Sequence, residues 1–166
     1  MPLKQLALLR HAKSSWADPD IADHDRPLNA RGRHAAALLG RHLQEAGIQP
    51  DLVLCSSATR AMQTLELLQI AATTDVVIDD ELYGADANEL LARLRHVPAA
   101  IGSVLLVGHN PGIEDLARML AGDALASEEK FPTAALADLR LPIRTWAELD
   151  SGIGQLHAFV IPRSLG

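Results

Sequence analysis

Arg10 and His11 stand directly after an apolar run, Leu3 to Leu9, which reads as a short β-strand with one interruption at Lys4-Gln5. The pair therefore falls where a strand stops and a loop begins, and in open α/β sheets that carboxyl edge is where ligands bind. An arginine offers a rigid, permanently charged fork for a phosphate, and a neighbouring imidazole nitrogen can attack one. Two later positions have the same chemical character: Arg60, soon after a second apolar run, and Gly108-His109-Asn110, after a fourth. If parallel strands bring those ends together, the residues converge on one point suited to phosphoryl transfer. That reaction needs an in-line nucleophile and stabilisation of charge on the equatorial oxygens. His11 would attack, Arg10, Arg60 and His109 would hold the oxygens, and amides of a helix N-terminus could add donors.

The elements that must position these residues alternate. Apolar runs at Leu3 to Leu9, Leu52 to Cys55, Val76 to Ile78, Val104 to Val107, Ala134 to Leu139 and Leu156 to Ile161 are separated by helical patterns, a βαβ rhythm. The expected fold is an α/β three-layer sandwich: a mainly parallel central sheet with one antiparallel strand and helices on both faces. The first helix is predicted from a cap at Asn29 to Gly47, with Ala35, Leu38, Leu39 and Leu43 as its apolar stripe. The second is predicted to start after Ser56-Ser57, either of which can cap it, and to turn Met62, Leu65 and Leu68 toward the core. A third runs from about Ala87 to His96 and ends before Pro98. The fourth opens at Asn110-Pro111, a cap followed by proline at the first helical position, carries Ile113, Leu116, Ala117 and Leu120 inward, and closes at Gly122. The polar stretch from Gly122 to Pro132 reads as a mobile surface loop.

With 166 residues and 48% hydrophobic content, the chain (1–166) fits one domain with a sizeable core. A net charge of -6 argues against a nucleic-acid surface, so any phosphate site is a local positive pocket in an acidic protein. The single cysteine, Cys55, excludes an intrachain disulfide framework and fits a reducing compartment. The first residues lack the apolar core of a signal peptide and no run reaches membrane-spanning length; the expectation is a cytoplasmic protein with no membrane association.

Several spaced elements, in order, resemble the histidine phosphatase superfamily: Leu9-Arg10-His11-Ala12, Arg26-Pro27-Leu28 followed by Gly32, Ser56-Ser57 leading to Arg60, Gln63-Thr64, and Val107-Gly108-His109-Asn110. The short length and Lys130-Phe131-Pro132-Thr133-Ala134-Ala135 before a late strand resemble the SixA-like phosphohistidine phosphatases within it. The resemblance implies a covalent phosphohistidine on His11, a phosphate pocket of Arg10, Arg60 and His109, and no metal or other cofactor. Attack needs an unprotonated nitrogen on His11, so its other ring nitrogen is expected to donate to a backbone carbonyl that fixes the tautomer. Nearby arginines should disfavour the imidazolium.

Many members of that superfamily place a carboxylic acid after the third strand to protonate a leaving alkoxide. Here the stretch is Asp79-Asp80-Glu81-Leu82-Tyr83-Gly84, with Glu81 the first candidate for a general acid and Asp23, three residues before Arg26, the second. Solvated loop charges are the competing reading for both. A phosphohistidine substrate lessens the demand, because its imidazole leaving group is protonated near neutral pH and leaves more readily than an alkoxide.

Arg26 either joins the phosphate pocket or pairs with Asp23 or Asp25. Ser14 and Ser15 could touch phosphate or serve a turn, and Trp16 could pack over the pocket mouth or within a loop. His24, His34, His42, His96 and His157 read as surface or packing histidines, Arg31 and Arg33 as solvated charges, and no two histidines share a metal spacing. Cys55 lies one residue too close to Arg60 for a cysteine phosphatase loop and reads as a small core residue.

The function expected is removal of phosphate from phosphohistidine of a protein, for instance a histidine phosphotransfer domain. The alternatives are a phosphomonoesterase or mutase on a small phosphorylated metabolite, and a non-catalytic phosphoprotein-binding module. The chain from Leu82 to the fourth strand is mostly taken up by one short helix, leaving little room for a large lid, which disfavours the mutase. A binding module has no need of His11.

Overall fold

The structure, a computed structural model, describes residues 3–125 and 130–165. Lys4–Arg10 forms β1, whose side chains alternate between the two faces of the sheet: Leu6 and Leu8 enter one core, Ala7 and Leu9 the other. Both sets are buried, which is why this strand reads as an apolar run and not as an alternating one. The remaining strands are β2 (Leu52–Ser56), β3 (Asp75–Asp79), β4 (Ser103–Gly108), β5 (Leu136–Leu141) and β6 (Gln155–Val160). The helices are α1 (Ala30–Glu45), α2 (Thr59–Leu68), α3 (Ala87–Arg95) and α4 (Gly112–Ala121).

The strands lie in the order β3-β2-β4-β1-β5-β6. β3, β2, β4 and β1 are mutually parallel, whereas β5 runs antiparallel to both of its neighbours. Helices α1 and α2 cover one face through Leu39, Leu43, Ala61 and Leu68, and α3 and α4 cover the other through Leu90, Leu94, Ile113 and Leu116. Each fully buried leucine contributes about 2 kcal/mol by leaving water. The expected three-layer α/β sandwich with one antiparallel strand is what forms. β4 sits between β1 and β2, so the chain order reverses there and a crevice opens at the carboxyl edge. Arg10 pairs with Gly108 and Cys55 with Val107, which levels the ends of these strands.

The faces of α1 and α2 depart from the predicted stripes, whereas α4 buries Ile113, Leu116, Ala117 and Leu120 as expected. In α1 the buried positions are Gly32, Ala36, Leu39, Gly40 and Leu43, while Ala35 and Leu38 are only half-buried. The two glycines draw the helix inward: a methyl at Gly32 would collide with the carbonyl oxygen of Lys13, so α1 rotates to press that bare position against the loop beyond His11. In α2 the inward face is Arg60, Ala61, Thr64 and Leu68; Met62 is exposed and Leu65 half-buried, because Arg60 and Thr64 serve the crevice. Neither Ser56 nor Ser57 caps α2, whose cap position is Ala58. Asn29 caps α1 as predicted, accepting from the Gly32 amide.

Pro111 is the cap position of α4 and not its first helical residue, and Asn110, expected as the cap, lies one residue earlier, where its side chain accepts from the Glu114 amide at 3.2 Å. Gly112 is held against the Ala85 carbonyl, where a methyl would clash, and that close approach sets where the helix starts. Gly122 closes α4 with φ of +57° as expected. The stretch predicted as a loop from Gly122 to Pro132 begins with a 3-10 turn, Gly122–Leu125, and both Leu125 and Phe131 are buried in the core; its residues 126–129 lie outside the described residues. Cys55 is buried, and burial pushes its thiol up to about 12. No described helix is long and apolar enough to cross a membrane.

Candidate active site

His11 is the first residue beyond β1 and is 8% exposed. Its backbone is fixed on both sides: its amide donates to the Gly108 carbonyl, and its own carbonyl accepts from the Ala134 amide. Nδ1 lies 2.7 Å from the Ala12 carbonyl oxygen, so Nδ1 carries the proton and donates it. Nε2 is left with a lone pair, and it accepts from Nε of Arg60 at 3.4 Å. Burial, reinforced by the charges of Arg60, Arg10 and Arg26, lowers the pKa of His11 to about 4 against the opposing effect of the Ala12 bond. The result is a neutral imidazole with its free nitrogen aimed at cations, a nucleophile that needs no deprotonation.

Arg60 reaches this position from the first turn of α2 and is 6% exposed. Thr64, one turn on, donates to the Arg60 carbonyl at 2.7 Å and accepts from the Ala12 amide at 2.9 Å, tying α2 to the His11 loop. The ends of the Arg60 guanidinium donate to the Asp23 carbonyl at 2.7 Å and to Asp23 Oδ2 at 3.1 Å. Arg10 is anchored by the Phe131 carbonyl at 3.1 Å, which also accepts from Asn110. The Nε of Arg10 and the Nδ1 of His109 are buried and have no partner among the described residues. The Arg10 charge, felt at His11, and the His109 ring close by suit an incoming oxyanion.

His109 follows β4 and its ring lies 5.1 Å from that of His11, centroid to centroid. Burial first, then His11 and Arg60, lower its pKa to about 3. The four residues singled out from strand ends, Arg10, His11, Arg60 and His109, thus come together.

Arg26 belongs to the same cluster, and both alternatives for it hold in part. Its Nε donates to Asp23 at 3.1 Å and its Nη1 to Ser14 Oγ at 2.6 Å, while its charge reaches His11. Ser14 is therefore an arginine ligand, buried beneath Arg26. Trp16, 75% exposed, lies flat over Arg26 with the guanidinium 3.5 Å from the ring centre.

Of the two candidate acids, Asp23 lies in the site and Glu81 is exposed on a 3-10 turn after β3. Among the described residues, no hydrogen bond or ion pair joins the Glu81 carboxylate to the crevice. The Asp23 carboxylate accepts from Tyr83 at 2.5 Å as well as from Arg26 and Arg60. Those bonds, Tyr83 foremost, hold it well below the usual carboxylate range, and the same bond raises the Tyr83 pKa. A carboxylate so held is a poor proton donor.

Sequence reasoning missed Tyr83, which stands edge-on to both His109 and His24, and Ser56, which bonds His109. Tyr83 lies two residues from Glu81 in the stretch searched only for acids. His24, read as a surface residue, is instead on the rim: its ring bonds Ser57 at 2.9 Å and packs on Tyr83. His34, His96 and His157 are exposed and His42 half-buried, all outside the site, and Arg31 and Arg33 are exposed. Among the described residues no cluster suits a metal ion.

Residues 6–93 match the family model of the histidine phosphatase superfamily (branch 1). An uncharacterized protein of Mycobacterium tuberculosis is 41% identical over 162 residues, covering 93% of this chain and 100% of that protein. The chain belongs to the histidine phosphatase superfamily. Two solved structures are similar over 98% of this chain at 33% identity: a Nakamurella multipartitia protein provisionally assigned as the phosphohistidine phosphatase SixA (TM-score 0.86, 98% of that chain) and its counterpart from Agrobacterium tumefaciens (TM-score 0.84, 99%). That likeness marks a phosphatase of the SixA-like branch.

Proposed function

We propose that this protein removes phosphate from phosphohistidine on a partner protein through a covalent phosphohistidine on Nε2 of His11. The observation that carries the reading is the fixed tautomer of His11, neutral and with its free nitrogen against Arg60. The Nε2 lone pair attacks phosphorus, the bond from phosphorus to the substrate imidazole breaks, and that imidazole, already protonated on its other ring nitrogen, leaves as the neutral ring. Water then attacks the phosphorus on His11, the bond to Nε2 breaks, and inorganic phosphate departs as His11 regains its lone pair. Arg10, Arg26, Arg60 and His109 hold the oxygens through both steps, acting on charge that develops in the transition state.

The choice of substrate rests on the acid. Asp23 is tied as a carboxylate by Tyr83 and two arginines, and Glu81 stands apart from the crevice. An alkoxide leaving group needs a poised acid, whereas imidazole takes a proton near neutral pH. The SixA assignments of the two similar structures support the same substrate class.

The test is phosphate release from a phosphohistidine-bearing protein, compared with a generic phosphomonoester, in wild type and His11→Ala. The expected result is rapid release from phosphohistidine alone, lost in the variant, with acid-labile phosphate trapped on the wild type. Preference for the monoester would move the function to a small phosphorylated metabolite, and activity surviving His11→Ala would remove the nucleophile.

A further inference from the structure

Among the described residues, only one of the two ring nitrogens of His109 has a partner. Nε2 lies 2.7 Å from the Ser56 hydroxyl oxygen, while Nδ1 is buried and makes no hydrogen bond. His109 is itself 9% exposed, and Ser56, the last residue of β2, is fully buried. The Ser56 oxygen also accepts from the Ala58 amide at 3.2 Å, where the chain turns into α2.

A neutral imidazole has one N–H and one lone pair, and a hydroxyl has one proton to give. The His109 ring is neutral at physiological pH, since its pKa is lowered to about 3. With the Ala58 amide donating into the Ser56 oxygen, the hydroxyl proton has one acceptor among the described residues, Nε2 of His109. Were the ring proton on Nε2 instead, the buried hydroxyl proton would have no acceptor, and Nδ1 would turn a lone pair toward the oxygens of a bound phosphoryl group. Both are unfavourable in a buried site.

We propose that Ser56 is a positioning residue that keeps the proton of His109 on Nδ1, so that His109 meets the phosphoryl group as a donor. The role of the donor rests on the reading of His11 as the phosphorylated residue; the tautomer itself does not. Ser56 acts on the reaction only through His109, as groups behind a ligating histidine fix which nitrogen is protonated.

The experiment is histidine 15N NMR at about pH 7 on wild type, Ser56→Ala and Ser56→Thr, paired with turnover of a phosphohistidine-bearing protein. The expected result is His109 protonated on Nδ1 in wild type, loss of that preference in Ser56→Ala with kcat lower by about ten- to hundredfold and KM little changed, and recovery of both in Ser56→Thr. A wild-type proton on Nε2, or an unchanged tautomer in Ser56→Ala, would overturn the assignment. If wild type forms no acid-labile phosphate on His11 while the tautomer still follows Ser56, the positioning by Ser56 stands and the phosphoenzyme reading falls.

Discussion

Arg60 aims its Nε–H at Nε2 of His11 from 3.4 Å, the nitrogen opposite the one tied to the Ala12 carbonyl. Each of its three nitrogens has a different acceptor, His11, the Asp23 carbonyl or the Asp23 carboxylate. Lysine keeps the charge but has no planar fork to span those directions. Arg60→Lys is expected to lower kcat on phosphohistidine by about a hundredfold, in the range found when one oxyanion donor is lost. Near-wild-type turnover in that variant would mean that charge alone suffices.

Acid should destabilise the fold through His11 and His109, whose pKa values in the folded chain are about 4 and about 3 against an ordinary 6.5. In the unfolded chain both take protons as pH falls below about 6.5, while the folded state stays neutral until lower pH. Their contribution is thus complete above about pH 6.5 and is lost on the way down to the folded pKa values. The slope approaches about 1.4 kcal/mol per pH unit for each histidine. Urea midpoints at about pH 7, 6 and 5 should fall in step, and His11→Asn should fall less steeply. Parallel curves for the two proteins would refute the linkage.

Asp23 offsets part of the positive charge of Arg26 and Arg60. Asp23→Asn keeps the shape and raises the net charge of the crevice, so inorganic phosphate should inhibit roughly three- to tenfold more strongly. Inhibition weaker than wild type would show that Asp23 matters more for orienting the arginines than for their charge.

Gly112 lies against the Ala85 carbonyl oxygen with no space for a methyl. Gly112→Ala should cost about 1–3 kcal/mol by forcing α4 from its seat. Urea denaturation measures it, and an unchanged midpoint would mean that α4 shifts outward freely.

The part of the site at strand ends was legible because a strand end is local information: an apolar run followed by Arg10-His11, or by Gly108-His109, marks its own position on the sheet edge. What escaped depends on three dimensions. Tyr83 and Ser56 matter only through Asp23 and His109, each distant in sequence. The stripe of α2 was misread because Arg60 and Thr64 occupy the inward face, displacing Met62 and Leu65 from it. That of α1 was misread because Gly32 and Gly40, with no side chain to count as apolar, are the positions pressed closest to their neighbours. Periodicity registers apolar side chains, so polar residues facing a crevice and glycines at close approaches shift the true face away from the apparent one.

The strand order has a consequence for how the chain acquires its activity. β4 lies between β1 and β2, so the nucleophile at residue 11 and the guanidinium at residue 60 are held at their working separation by a strand made some hundred residues after the first. A chain lacking that strand keeps the Thr64 tie between α2 and the His11 loop but loses the spacer between the two strand ends, and His109 with it, so no turnover is expected of it. Pairings this remote in sequence are slow to form. Recovery of turnover during refolding is therefore expected not to precede the insertion of the middle strand, so the reaction sets a latest time for that step.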